Sequence, residues 1–378
     1  MQTMSTGRNA ATTVLLLLLA QLAAVAWPAY ACGCGGMVTD PETPVTVEQE
    51  TSAVSWDGTT QRIVMSLTVG GEASEAAWIM PVPSRAEVEL GDRELFDDLR
   101  AAIRPVRETR HYFWPREGDW PLGSDEMWNG AGGGAPQDRG AGVDVIGRDR
   151  LGPFDVARLA ATDPAALDAW LGENGFDLPD RLADELAPYV EQQWEYVAIR
   201  LAPEEAGGET PAVLGGTLDP ISLTFASDEL VYPMRLSRAA TTEQSLRLYV
   251  LAEGRMEPAD TIGGEEPAIA FAAPLTVAEQ PAGPLRDLAA GPAFLTVLDQ
   301  EFPRPELIDG DHVLRRTAED TEYRPVIYED RLLTWGGVPA WIVTTGGTAP
   351  AAVLAFLLVR RARRRRVYAR PYVPHPGA

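Results

Sequence analysis

Few residues in this chain could do chemistry. Away from the tail, its only thiols and imidazoles are Cys32, Cys34, His111 and His312. A thiolate is both a nucleophile and a soft ligand, so these four residues could assemble at most one Cys2His2 zinc site. The Cys-Gly-Cys spacing does not demand one. Outside the cytoplasm the same thiols would instead oxidise, in a strained local ring or with another chain. For hydrolysis, His111 or His312 would serve as base, but no Gly-x-Ser-x-Gly or Cys-Gly-x-Cys-Trp signature accompanies them. Carboxylate pairs such as Asp97-Asp98, Glu204-Glu205, Glu265-Glu266 and Glu319-Asp320 follow from having 55 acidic residues, so glycosidase chemistry has no support. Calcium could be held by Asp309, Asp311 and neighbouring acids, although EF-hand spacing is absent. No cofactor is predicted. His111, Tyr112, Phe113, Trp114, Trp120 and Trp128 flank a glycine-rich stretch and could stack on a peptide or glycan, or simply anchor a long loop.

Composition narrows the field. The chain has 378 residues, 45% of them hydrophobic, which is enough for a buried core, and two cysteines cannot form a disulfide framework. With a net charge of −23 and a sequence pI near 4.5, it lacks the basic footprint that nucleic acid requires. All basic residues are arginines, and those after residue 359 contrast with the acidic stretch 32–335. Such a surface stays soluble and attracts cationic partners within the range that salt allows.

The two ends speak to location. Residues 1–31 read as a secretory signal, with Arg8, the apolar run VLLLLLAQLAAVA, Pro28, and Ala29-Tyr30-Ala31 before a cleavage point. Cleavage there would leave Cys32 first. Ala29 and Tyr30 depart from a lipobox, so ordinary cleavage is favoured and lipidation stays open. Residues 338–359 (VPAWIVTTGGTAPAAVLAFLLV) carry no charge and are long enough for a bilayer core of about 30 Å. Trp341 sits where an interfacial belt would lie. Arg360, Arg361, Arg363 and Arg364 follow, placing that end inside by the positive-inside rule. The expectation is a single-pass cell-membrane protein, extracytoplasmic over 32–335, with a basic cytoplasmic tail at 360–378.

Between the ends, VTVEQETSAVSW and QRIVMSLTV alternate like strands around Asp57-Gly58, which suits a tight turn. AAWIMPVP reads as a third strand, with Pro81 and Pro83 restricted to an edge or an end. Residues 94–103 carry Leu95, Leu99 and Ile103 at helical spacing. Residues 115–142 lack periodicity and read as a flexible loop, and 143–147 as a strand. Asp163-Pro164 opens a helix that stops near Gly175, and Pro179-Asp180 opens another containing Pro188. Strands are expected at 194–202, 218–227, 229–237 and 245–253, then less regularly to 335. The fold class is therefore α+β, a β-rich ectodomain of antiparallel sheets and a few helices, plus one C-terminal transmembrane helix. Two β-rich lobes, 32–147 and 148–335, fit this order.

Several of these segments, taken in order, carry a resemblance. They are Cys32-Gly33-Cys34-Gly35, Trp78 to Pro83 with Glu94-Leu95-Phe96-Asp97-Asp98-Leu99, Gly152-Pro153-Phe154-Asp155, Ala169-Trp170-Leu171, Pro188-Tyr189-Val190, Trp194-Glu195-Tyr196-Val197-Ala198 and the Pro220 to Leu236 stretch with Val231-Tyr232-Pro233. Together they resemble the uncharacterised bacterial family called domain of unknown function 2330. The resemblance implies an exported protein, often membrane-anchored; it supplies no activity and no catalytic residues.

The leading functional expectation is a non-enzymatic binding or interaction module, engaging a protein, peptide or glycan at the cell surface through residues 104–142. The alternatives are a cell-surface enzyme, hydrolytic or thiol-dependent, and an acidic structural spacer. Beyond the membrane, no partner is specified, and nucleic acid is excluded by charge.

Overall fold

The computed structural model describes residues 31–32, 35–40, 43, 45–71, 73–117, 119, 154–159, 164–201, 213–275, 282–289 and 293–368. Residues 1–30 of the expected signal segment and the expected strand at 143–147 lie outside them; Ala31 begins β1. The chain forms two compact units, Met1–Arg104 with Val145–Pro325, and Pro105–Asp144 with Val326–Ala378.

The first unit is built on two large sheets. Strands β3 (Val45–Trp56) and β4 (Thr60–Gly71) form a long antiparallel hairpin. Its turn is closed by Asp57, whose Oδ1 accepts from the Thr59 and Thr60 amides at 2.9 and 2.8 Å, with Gly58 at φ 96°. Only glycine takes up that φ without strain. An eight-stranded sheet grows from this hairpin, in the order β15 (Ala268–Leu275), β16 (Ala293–Phe302), β13 (Gln244–Ala252), β3, β4, β11 (Ile221–Ala226), β6 (Glu87–Leu90), with β10 (Gly216–Thr217) also on β4. One pairing in it, β13 with β3, is parallel, so the sheet is mixed rather than wholly antiparallel.

A five-stranded sheet runs β1 (Ala31–Cys32), β2 (Gly35–Val38), β5 (Ala76–Val82), β9 (Glu195–Leu201), β8 (Phe154–Leu159). Every residue of β5 is buried. Trp78, Met80 and Val82 face a core shared with Ile63, Met65 and Leu67 of the larger sheet, while Ala77 and Ile79 face helices on the other side. Burial on both faces is why AAWIMPV reads as an unbroken apolar run and not as an alternation. Pro81 pairs with Tyr196 on one side, and on the other β2 reaches only as far as Ile79, so its missing N–H interrupts no ladder.

Helices close both outer faces. Over the smaller sheet lie α2 (Pro164–Glu173), α3 (Asp180–Glu191) and a 3-10 turn (Arg235–Ala239), which bury Leu167, Leu171, Leu182, Leu186 and Leu236. Over the larger sheet lie α1 (Glu94–Ala102) and α4 (Pro284–Ala289), burying Leu95, Phe96, Leu99, Leu285 and Leu288. The first unit is therefore layered helix, sheet, sheet, helix. Both sheets draw strands from either side of residue 147. A small third sheet, β12 (Leu230–Tyr232), β17 (His312–Arg316), β14 (Met256–Pro258), carries His312.

The strand expected over 229–237 stops at Tyr232. Pro233 cannot extend the ladder, and the Asp311 carboxylate captures the amides of Met234 and Arg235 at 2.7 and 2.9 Å, turning the chain into the 3-10 helix.

The Cys-Gly-Cys-Gly segment meets the core at Gly35. A Cβ there would lie 2.6 Å from the Ile79 carbonyl oxygen and 2.7 Å from Trp78 Nε1. Backbone cannot yield without breaking the β2–β5 ladder. Gly35→Ala should therefore cost about 1–3 kcal/mol, read as a lowered denaturation midpoint of the full chain in detergent. Gly172→Ala, in open space on α2, is the control that should not fall; equal behaviour of the two would refute the close approach.

Candidate functional site

The second unit carries a pair of strands exposed along most of their length. Strand β7 (Val106–Tyr112) and strand β18 (Val326–Leu332) pair in parallel from Val106 with Val326 to Tyr112 with Leu332. With a side-chain period of two, Arg110 and Tyr112 share a face with Tyr328 and Asp330, and Arg107 and His111 share the other with Glu329 and Arg331. The sequence did not announce β7, because six of its seven residues are exposed and no apolar alternation marks it. Charge holds it instead. Arg107 reaches Glu329 at 2.7 Å, and Asp330 takes Arg110 at 3.0 Å and Arg116 at 2.6 Å. Hydrogen bonds from Arg116 and then Arg110 pull the Asp330 carboxyl below its ordinary range, and Arg107 and Arg331 do the same for Glu329. Open to water and screened by salt, these pairs fix the register of the ribbon more than they stabilise it.

Both faces of the ribbon are open. Val106, Ile327 and Tyr328 are exposed, and neither outer edge pairs with another described strand. Parallel pairing normally occurs in sheets covered on both faces, and an isolated pair of strands is marginal in water.

The end of the ribbon is aromatic. Tyr112 donates its hydroxyl to Asp119 at 2.6 Å, which raises the phenol's pKa, and Arg116 stacks 4.2 Å from the Tyr112 ring centre. Phe113 and Trp114 meet edge to face at 5.1 Å, with Trp114 64% exposed. Leu333 ties this end to the start of the apolar helix. Its amide donates to the Tyr112 carbonyl at 2.9 Å, and its own carbonyl accepts from the Ala340 amide at 2.7 Å. Between those two bonds sits a tight hairpin, β19 (Thr334–Trp335) and β20 (Val338–Pro339), turned by Gly336 and Gly337 at φ 61° and 83°. At Ala340 begins α5 (Ala340–Tyr368), of which Ala340–Arg364 is long and apolar enough to cross a membrane.

The residues singled out from sequence are scattered over both units. His111 is exposed on β7, Tyr112 and Phe113 are half-buried, and Trp114 is exposed; Trp120 and Trp128 lie outside the described residues. Cys32 is in β1, and Cys34 lies outside the described residues. His312 is enclosed in the first unit, packed against Phe302 with ring centres 6.5 Å apart. Its Nδ1 is buried with no hydrogen-bond partner among the described residues, and burial pushes its pKa down to about 4. Among the described residues no group of three or more His, Cys, Asp or Glu could hold a metal. Trp341 stands in the first turn of α5, and Arg360, Arg361, Arg363 and Arg364 are exposed near its other end.

Two polar clusters were not legible beforehand. Asp311, beside His312, accepts from the Tyr189 hydroxyl at 2.6 Å as well as from the two amides above, joining α3 to the 3-10 turn. Glu50 is almost fully buried in the core and hydrogen bonds to the Tyr232 hydroxyl, which lies 2.6 Å from Ser52 Oγ. Burying a carboxyl is costly unless it is hydrogen-bonded, and Tyr232 meets that need across a sheet interface. Glu50 stands in the polar run Glu48-Gln49-Glu50-Thr51 of β3, beside exposed Glu48 and Gln49, so nothing local marks it for burial. Among the described residues of the first unit are two cavities of different character. One, of about 400 Å³, is polar, with Arg62, Asp92, Glu94 and Asp287; the other, of about 330 Å³, is apolar, with Leu167, Leu178, Leu186, Val190 and Tyr196.

Fold and surface together define a class: a β-rich α+β protein with a layered core, a charged parallel ribbon and one apolar C-terminal helix. The chain belongs to the family described as an uncharacterized protein conserved in bacteria (DUF2330), which matches residues 28–315. That match takes in most of the layered unit and β7 but stops at residue 315, before β18 and α5. No curated protein matches. The crystal structure of baculovirus p35 is similar at 10% identity over 75% of this chain and 97% of that chain, with a TM-score of 0.30, too low to define a shared fold.

Proposed function

We propose that this protein is a membrane-anchored extracytoplasmic binding module of non-enzymatic character. Residues 1–31 would direct export, α5 would anchor the chain, and the arginines after residue 359 would keep its tail in the cytoplasm. The observation that carries the binding role is the parallel ribbon of β7 and β18, exposed on both faces with both edges unpaired among the described residues. A strand edge is a template for an extended segment of a partner, with main-chain hydrogen bonds supplying affinity and side chains supplying selectivity. Arginines along β7 and acids along β18 give its two edges different charge, which favours a dissimilar partner over self-pairing.

A photo-crosslinking residue at exposed Thr109, in the full chain in its native membrane, should give a discrete protein adduct. The same residue at exposed Val213 of the first unit should not. Loss of the adduct when β7 pairing is disturbed by Arg110→Glu would tie it to the ribbon. Absence of any adduct at Thr109, or the same products at both positions, would overturn the binding role and leave the acidic spacer.

A further inference from the structure

From the aromatic end of the ribbon we infer a second contact: Phe113, Trp114, Trp335 and Val338 dock in the headgroup–carbonyl layer of the lipid bilayer, holding the ribbon upright on its anchor. This rests on reading Ala340–Arg364 as a membrane span. If the helix enters the bilayer at Ala340, two hydrogen bonds set the level of the ribbon's end. Leu333 is bonded both to Ala340, where the helix begins, and to Tyr112, where β7 ends, at 2.7 and 2.9 Å. Residues 113 and 114 therefore leave the ribbon at the level where the helix starts, and the hairpin Thr334–Pro339 projects from the same point. Trp114 is 64% exposed, Trp335 51% and Val338 44%.

Water is a poor environment for so much apolar surface in one place, and the bilayer interface is a good one. Indole and phenyl rings concentrate there because an amphipathic ring can lie between headgroups and acyl chains. The arginines nearby do not supply the attraction. Arg110 and Arg116 are already engaged by Asp330, and Arg107 by Glu329. The partner is thus the interfacial layer of ordinary zwitterionic phospholipid, and added anionic lipid should bring no gain.

The test uses the full chain with Cys32→Ser and Cys34→Ser, carrying one environment-sensitive fluorophore on a new cysteine and reconstituted in phosphatidylcholine vesicles with spin-labelled lipids. Glu117→Cys reports on the tip without removing an aromatic ring, and Phe356→Cys on the helix. Residue 117 should be quenched by labels near the headgroup and residue 356 by labels deep in the acyl chains. Adding Trp114→Ala and Trp335→Ala should abolish quenching at 117 while leaving 356 unchanged. Quenching at 356 without quenching at 117 overturns the docking and spares the membrane span. No quenching at 356 overturns the span, and the docking with it. Blue-shifted emission at 117 that ignores spin-labelled lipid and grows with protein density means a second copy covers the tip, which also overturns the proposal. So does quenching at 117 that rises with the fraction of phosphatidylglycerol, since the attraction would then lie in the arginines.

Discussion

Trp78→Ala should destabilise the protein by about 3–5 kcal/mol, the range for deleting a fully buried indole. Trp78 is 0% exposed, at the centre of β5, with Met37 beside it on β2 and Ile199 on β9. Its ring fills the layer between the two large sheets, where Met65, Met80 and Val197 belong to the same cluster. Neither sheet can close over the gap, because both are held from behind by helices packed on their outer faces. The change should appear as a lower denaturation midpoint for the full chain in detergent, larger than for any ribbon substitution. Trp114→Ala, which removes an exposed ring, should leave that midpoint nearly unchanged. Comparable losses at the two positions would mean that the layered core is not where stability resides.

The second large effect is acid lability caused by His312. In the folded chain burial holds this imidazole neutral down to about pH 4, against an ordinary value of 6.5. Between those values the unfolded chain binds the extra proton, so the contribution of His312 is complete above pH 6.5 and declines as the pH falls through that interval. Below about pH 4 the decline from this residue ends. At 1.36 kcal/mol per pH unit the loss is about 3 kcal/mol. His312→Gln keeps a polar side chain in the site but does not titrate. The stability difference between wild type and variant, measured at pH 7, 5.5 and 4, should therefore shift towards the variant by about that amount. A difference that stays constant with pH would show that His312 is not the buried neutral group. The same burial bears on chemistry, since a histidine enclosed against Phe302 is poorly placed to serve as a base for a substrate arriving from solvent.

How much of this could be read in advance varies with the physical cause. The β3–β4 hairpin was legible because Asp57 and Gly58 encode their own turn and both strands alternate. The helices α1, α2 and α3 were legible because their apolar spacing is local and their ends are punctuated by Pro164, Gly175 and Pro179. AAWIMPV announced a buried strand by having no polar face. β7 was not legible, since arginine, glutamate and histidine in sequence give no period, and its partner lies more than two hundred residues away. The 3-10 turn after Tyr232 was missed for the same reason: the group that bends the chain, Asp311, is distant in sequence. Glu50 looked like one acid among many until Tyr232 was brought against it.

Local sequence was enough for the β-rich α+β class, the family, and the apolar segment with arginines behind it, because periodicity, turn chemistry and uninterrupted hydrophobicity are properties of neighbouring residues. Long-range packing was needed to show that two sheets share one core, that one pairing within them and the ribbon pairing are parallel, and that His312 is enclosed while His111 is exposed. It alone tied Tyr112 through Leu333 to the start of the apolar helix. Those facts depend on which distant segments bury one another's surface and pair one another's charges, and no window of neighbouring residues contains that information.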